Sequence, residues 1–208
     1  MKKAVILLCA VLFCLPLADQ KKVYRPTKDN YSLKNGDYVA DTGINKFVGR
    51  WEWKSGNSSF TLIIKKREKV KYIHNSNFMY YSDNALGWYR YIKNGVEVKN
   101  TLDNVHAGMT ATDLKNILSK TSISGVSKEG YLGLLVQING FKMRQDARLE
   151  SIPGKTDEIR WTIYNKYNRV AKAKQEDFPI PVSMVLKKAT ELDPLLPPED
   201  PLDSGGPK

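Results

Sequence analysis

The residues that could perform acid–base or metal chemistry are few in this chain and widely spaced. Only two histidines are present, His74 and His106, and they are far apart in the sequence. They could bind a metal together with carboxylates only if the fold brought them together. Glycoside hydrolysis in turn needs two acids that face each other across a cleft. The acids on predicted strands or turns are Glu52, Asp83, Glu97, Glu129 and Glu158.

None of these acids belongs to a recognisable catalytic motif, and a solvated surface position is the usual explanation for such residues. The chain contains no Gly-rich phosphate loop, no Gly-x-Ser-x-Gly elbow and no His-Glu-x-x-His sequence. The sequence therefore predicts a protein that is not an enzyme, with no catalytic residue, no metal site and no cofactor. A hydrolase with an unrecognised site is kept as an alternative.

The four tryptophans suggest a different kind of site. Trp51, Trp53, Trp88 and Trp161 could line a pocket inside a barrel that holds a small apolar or sugar-like ligand, or they could simply fill its core. Trp51 is predicted to be a core anchor. Trp88 is left open because Arg90 shares its strand face, and a charge beside an indole needs solvent or a partner. The candidate ligand-binding residues are Trp53, Trp88, Arg90 and Trp161.

A basic run, Lys65-Lys66-Arg67-Glu68-Lys69-Val70-Lys71, is the second candidate surface. Together with aromatic residues nearby in the sequence, it is similar in composition to the surfaces of single-strand nucleic-acid binders. Lysines on an exposed strand also prevent edge-to-edge aggregation, and we favour this protective role. A surface module that binds an anionic polymer through residues 65–71 is the alternative function.

The compartment follows from the N-terminus, which has the three parts of a secretory signal peptide. Lys2 and Lys3 begin it, residues 4–15 form an apolar run, and residues 16–18 supply a cleavage region. The apolar run is shorter than the roughly 20 residues that a membrane span needs. We therefore expect a secreted or cell-envelope protein, in the periplasm or on the outer surface, with no transmembrane segment in the mature chain.

Both cysteines, Cys9 and Cys14, lie inside this signal peptide. Cleavage after Ala18 would leave a mature chain without cysteine, which excludes disulfides, thiol catalysis and thiolate metal sites. A lipid anchor is disfavoured because Leu8 and Phe13, rather than small residues, precede the cysteines. Export without disulfides is typical of a bacterial secreted protein.

The chain is basic, with a formal net charge of +11 at pH 7. This charge is concentrated in the body of the protein, because residues 191–208 carry five acids and one base. A basic surface attracts anionic envelope polymers, lipid head groups or nucleic acid. It also keeps a protein dispersed without defining any site. Export makes nucleic acid an unexpected partner, which leaves a small ligand or an anionic envelope polymer as the candidate partners. The sequence does not identify either of them further.

The elements that would position these residues are short strands joined by tight turns. Residues 47–66 predict a β-hairpin in which Phe47, Gly49, Trp51 and Trp53 share one face. Asn94-Gly95 predicts a second hairpin, because both turn residues must accept positive φ. Residues 69–74 predict a half-exposed strand and residues 75–84 a loop. Further strands are predicted at residues 132–138, 148–152, 158–165 and 182–187.

These elements predict an all-β fold, an antiparallel meander of roughly eight to ten strands that closes as a lipocalin-like barrel or sandwich. At most one short helix is expected, at residues 112–118, where a loop is equally consistent. The predicted domains are a signal peptide at 1–18, an exposed polar leader at 19–46 with one short strand, and a single β domain at 47–190. An acidic, proline-rich disordered tail at 191–208 completes the chain.

The structural motif Gly49-Arg50-Trp51, at the head of a strand, resembles the Gly-x-Trp opening of lipocalin-type barrels. The chain is also similar to a family of small secreted bacterial proteins of unknown function, through four segments in the same order. They are Gly49–Trp51, Phe60–Lys66, Gly87–Gly95 and Ile180–Lys187. This resemblance implies export and a shared β fold, and it supplies no activity. We therefore expect an exported, non-enzymatic β-barrel that binds a small ligand or an envelope partner.

Overall fold

The computed structural model describes residues 23–24, 33–103, 123–128, 130–137, 144–164, 172, 174 and 178–189. Within these ranges the chain forms eleven β-strands and a 3-10 helix, Thr42–Phe47. The strands are β1 Val23–Tyr24, β2 Tyr38–Val39, β3 Gly49–Ser55, β4 Ser58–Asn75, β5 Phe78–Lys93, β6 Val96–Asn100, β7 Ile123–Lys128, β8 Tyr131–Gln137, β9 Arg144–Ile152, β10 Lys155–Ile163 and β11 Ser183–Lys188. The predicted all-β class is confirmed.

Eight of the strands form a closed antiparallel barrel in the order β5, β4, β3, β11, β10, β9, β8 and β7. The ring closes because β7 pairs back with β5, where Ala85 faces Gly125 and Gly87 faces Ile123. Outside the ring, β6 extends β5, while β2 pairs in parallel with both β5 and β1. Of the two architectures that the sequence allows, the structure is the barrel.

The first hairpin of the barrel is the one predicted from the sequence. β3 and β4 pair from Gly49↔Ile64 to Ser55↔Ser58 around a turn in which Gly56 has a φ of +55°. Trp51 packs in the same core cluster as Phe60, so the predicted inward face is confirmed. The Asn94-Gly95 turn between β5 and β6 is confirmed too, and both of its residues have positive φ.

An arm that projects beyond the barrel is the main departure from the predicted elements. β3 stops pairing with β4 at Ile64, and β7 pairs with β5 only from residue 85 to residue 87. Between these limits β4 and β5 continue as a pair around a turn at residues 76–77. We call residues 65–84 the arm. The predicted half-exposed strand at 69–74 is confirmed as the outer part of β4. The predicted loop at 75–84 is wrong, because these residues form the end of β4, the turn at 76–77 and the start of β5.

The segment that precedes the barrel also differs from the expected exposed leader. Residues 33–47, which we call the strap, contain β2 and the 3-10 helix. The predicted short strand is confirmed as β2, which pairs with Tyr81–Ser82 of the arm. The side chains of Ile44 and Phe47 are fully buried in the barrel core. The strap therefore runs along the arm and then covers one end of the barrel.

Two apolar clusters lie on opposite faces of β4 and β5. The larger one fills the barrel and includes Trp51, Phe60, Tyr89 and Trp161. The smaller one lies on the outer face and is formed by Ile63, Val70, Leu86 and Trp88, with Tyr72 and Leu102 packed against it. This division follows from strand geometry, since consecutive residues point to opposite sides of a sheet.

Several predictions concern residues outside the described ranges. These are the signal peptide at 1–18, the helix at 112–118 and the acidic tail at 191–208. They stay predictions. Over the part of the chain that the structure describes, no helix is long and apolar enough to cross a bilayer.

Candidate functional site

The barrel interior, the first candidate for a ligand pocket, is packed with large side chains. The ring of Phe60 lies 5.7 Å from that of Tyr89, 6.4 Å from that of Tyr91 and 5.5 Å from that of Trp161, measured between centroids. Phe60, Tyr89 and Trp161 have no accessible surface, so no space large enough for a water molecule touches them. These rings fill the centre of the barrel, as is usual for a small barrel.

The indole N–H groups of two core tryptophans donate hydrogen bonds to backbone carbonyls of the protein itself. Nε1 of Trp51 donates to the carbonyl of Phe47 at 2.8 Å, and Nε1 of Trp161 donates to the carbonyl of Pro181 at 3.0 Å. Both side chains are fully buried. The first bond ties the strap to β3, and the second ties β10 to the segment that enters β11. Trp51 and Trp161 therefore act as structural anchors of the barrel.

The four predicted ligand-binding residues do not surround one common space. Trp161 lies in the interior cluster, and Trp53 is half-buried against the same cluster. Trp88 belongs to the outer cluster, and Arg90 is exposed on the same outer face, where its Nε lies 2.7 Å from Glu97 Oε2. Arg90 is thus both exposed to solvent and paired with Glu97, which accounts for a charged side chain on the same strand face as Trp88. Binding of a ligand by these residues stays a prediction.

The acids that could have formed a hydrolytic pair are engaged separately. Glu52 pairs with Arg50 at 2.7 Å, and Glu158 lies 3.4 Å from Lys155. His74 is exposed on the arm, where its ring meets Phe78 edge-on at a centroid distance of 6.2 Å. The described ranges contain no group of three or more His, Cys, Asp or Glu residues that could hold a metal ion. Glu129 and His106 lie outside these ranges.

Asp83 is the exception, because its carboxylate is fully buried and accepts four donors. Oδ1 accepts from the hydroxyl of Tyr38 at 2.6 Å and from the backbone N–H of Lys69 at 3.3 Å. Oδ2 accepts from the backbone N–H of Asp41 at 2.9 Å and from Nζ of Lys66 at 2.9 Å. A buried charge is tolerated when it is paired and hydrogen-bonded in this way.

The protonation of the donors around Asp83 is set by burial and by this carboxylate. Burial raises the pKa of Tyr38, and the hydrogen bond to Asp83 raises it further, so the phenol stays a donor. Burial lowers the pKa of Lys66, but the hydrogen bonds and charges of Asp83 and Glu68 outweigh it, and the net shift is upward. Lys66 therefore carries its charge beside the Asp83 side chain.

A second buried acid, Asp41, completes the network at this barrel end. Its carboxylate accepts the backbone N–H of Gly43 at 3.0 Å and that of Ser127 at 2.7 Å, together with the Ser127 hydroxyl. Next to it, Oδ1 of the buried Asn84 accepts the N–H of Gly125 at 3.0 Å. These contacts close the barrel end with polar groups that are satisfied by one another.

In the sequence Asp83 is only one strand or turn acid among five, and no motif there singles out Tyr38, Asp41 or Ser127. The partners of Asp83 lie as far as 45 residues away in the sequence. One local signal was available: Ser82, Asp83 and Asn84 are consecutive polar residues directly before an apolar run. Such a group is usually assigned to a loop, and only tertiary contacts show that it is buried strand.

The arm presents the most open surface of the candidate regions. Across its outer face the rings of Tyr72 and Tyr80 stack at a centroid distance of 5.0 Å and an angle of 9°, with Phe78 6.1 Å beyond Tyr80. On the other face Ile73 is paired with Met79 and is 63% exposed. The arm is therefore a two-stranded projection that is held together by cross-strand pairs.

The basic run lies along this arm and is divided between its faces. Lys66 points to the buried Asp83, whereas Lys69 is exposed, with Nζ 5.7 Å from the ring centroid of Tyr38. Lys71 is half-buried on the strand position that faces Tyr81. Among the described strands, none pairs with the outer edge of β4 beyond Ile64. Lys69 and Lys71 thus lie on a strand whose outer edge is not paired with any described strand.

Fold and surface define a closed eight-stranded antiparallel β-barrel with a packed interior, a polar plug at one end and a basic arm. Residues 1–189 match a family of unknown function, DUF6705, and the chain belongs to that family. The expected membership of a family without known activity is confirmed at this level. Searches of curated proteins and of solved structures each gave no match.

Proposed function

We propose that this protein is an exported, non-enzymatic binding module that holds an anionic polymer of the cell envelope on its arm. The observation that carries the proposal is the position of the basic run. Lys69 and Lys71 lie on a projecting strand whose outer edge no described strand covers. A net charge of +11 favours association with polyanions, and charges on a projecting element reach an extended polymer.

The other functions weighed from the sequence have less support. A small ligand inside the barrel would need space next to Trp161, which has no accessible surface. A hydrolase would need two acids across a cleft, and the described candidates Glu52 and Glu158 are paired with separate cations. The location in the envelope follows from the predicted signal peptide at residues 1–18.

Retention on immobilised heparin, used as an anionic polysaccharide, tests this proposal. The double variant Lys69→Glu/Lys71→Glu should elute at clearly lower salt than the wild type, because exposed charges act through screened attraction. The matched control is Lys93→Glu/Lys99→Glu, which makes the same change in net charge at the β5–β6 hairpin. Equal losses in both variants would show that binding depends on overall charge and would contradict an arm site.

A further inference from the structure

Two segments meet at the side chain of Asp83, the base of the arm and the strap. Lys66 and Lys69 belong to the arm, and Tyr38 and Asp41 belong to the strap. All four contacts are made by one fully buried carboxylate. Any movement of the strap away from the arm must therefore break the hydrogen bonds that Tyr38 and Asp41 donate to this group.

Close to its base, the arm contains an irregularity in β4. The register between β4 and β5 shifts between Arg67 and Val70, and Lys69 has a φ of +51°, in the left-handed region. Such a bulge bends and twists a strand, and it leaves the extra residues outside the ladder. The ladder alone therefore does not fix the direction of the arm. The contact between the Lys69 N–H and Asp83 acts at this bend.

The strap bridges the arm and the barrel on the other side of this bend. On the arm, the Gly36 N–H donates to the carbonyl of Met79 at 2.8 Å, and the Tyr81 N–H donates to the carbonyl of Asp37 at 2.8 Å. On the barrel, Asp41 accepts the N–H of Ser127 at 2.7 Å. Asp83 lies between the two sets of contacts, where Tyr38 and Asp41 both donate to it.

We propose that the strap is a latch, closed on Asp83, which fixes the direction of the arm relative to the barrel. With the latch closed, the arm is held at its bend by Asp83 and along β5 by the strap. With the latch open, the arm keeps its β4–β5 pairing, the packing of Val70 in the outer cluster and the Asn84–Gly125 hydrogen bond, and its outer part moves about the bulge. This is a conformational device of the fold, and it holds whether or not the arm binds a polymer.

The test is amide hydrogen exchange of the full chain with the variant Tyr38→Phe, which removes one strap donor and keeps the ring. A hydrogen bond to a charged group is worth enough for a roughly tenfold change in local opening. We expect exchange to rise about tenfold in the strap and also in residues 78–82 of the arm, with β9 and β10 unchanged. Tyr131→Phe, which removes a hydroxyl from β8, is the matched control and should change neither segment.

Two results would overturn the latch. In the first, the strap exchanges faster in Tyr38→Phe while the arm is unchanged, so the two are not coupled. In the second, β9 and β10 exchange faster by the same factor, so the variant only lowers global stability. Asp83→Asn extends the test and should give the larger change in both segments. If that variant does not fold, Tyr38→Phe alone decides between the outcomes.

Discussion

Nζ of Lys66 lies 2.9 Å from Oδ2 of Asp83, a carboxylate with no exposed surface, although Lys66 stands in the middle of a run of basic residues. The pairing turns one lysine of the run inward and leaves others on the surface. The basic run therefore has two roles. Lys66 neutralises a buried carboxylate at the barrel end, and Lys69 places a positive charge on the surface of the arm.

Replacing Lys66 should therefore cost far more than replacing an exposed lysine of the same run. Removing one partner of a buried ion pair leaves an uncompensated charge and costs about 3 kcal/mol or more. We expect Lys66→Gln to lower the free energy of unfolding by about this amount in urea titrations. Lys69→Gln, the control at an exposed position, should stay within about 0.5 kcal/mol of the wild type. Similar losses in the two variants would contradict the buried pairing.

The packed interior predicts a cavity where a core side chain is shortened. Leu62 is fully buried in the barrel cluster, so Leu62→Ala should cost about 2–5 kcal/mol. The control Leu135→Ala, at a position that is 43% exposed, should cost much less. Benzene should raise the Tm of Leu62→Ala and leave that of the wild type unchanged, since an apolar cavity binds such a molecule. A comparable rise for the wild type would mean that the barrel already holds a cavity.

The close approach of β7 to β8 predicts that alanine in place of the β7 glycine, Gly125, destabilises the fold. A Cβ at Gly125 would meet the carbonyl oxygen of Gly133 and lie 2.8 Å from Cδ2 of Leu134, so Gly125→Ala requires the backbone to move. At Gly133 the nearest atom would be an ordinary 3.5 Å away. Gly125→Ala should lower the free energy of unfolding, measured in urea, by about 2 kcal/mol or more, and Gly133→Ala should lower it only slightly. The reverse order would contradict the β7–β8 register.

Alkaline pH should destabilise the fold through Tyr72. Burial, with a smaller effect from Tyr80, raises the pKa of Tyr72 to about 12 from the ordinary 10.0. The unfolded chain releases this proton first, so the stabilisation is complete below about pH 10 and is lost as pH rises through about 12. The raised pKa of Lys66 acts in the same direction. Urea midpoints measured across this range should fall less steeply for Tyr72→Phe, and parallel curves would refute the assignment.

The sequence predicted the local elements well where the physical signal is local. The Asn94-Gly95 turn follows from backbone conformation, and the inward face of Trp51 and Phe60 follows from alternation along a strand. The closure of the ring is different, since it joins Gly125 to Ala85, which are 40 positions apart in the sequence. No periodicity in the sequence specifies that contact.

The arm and the latch could not be predicted, because their residues have types that are typical of exposed loops and yet form strands and buried contacts. The polar residues from Asn75 to Asn84 indicate a loop, yet the structure places them in β4, β5 and their turn. Asp83 is buried because Tyr38, Lys66 and two backbone N–H groups satisfy it from distant positions. Tertiary hydrogen bonds thus override a composition that is typical of exposed turns.

The most direct test of an arm-based binding module is an amide chemical-shift map recorded as a heparin oligosaccharide is titrated into the full chain. The account predicts shifts confined to residues 65–80, centred on Lys69 and Lys71, and weakened by added salt. Shifts centred on Trp53 and Trp161, with the arm unchanged, would place the ligand at the barrel interior and contradict the account.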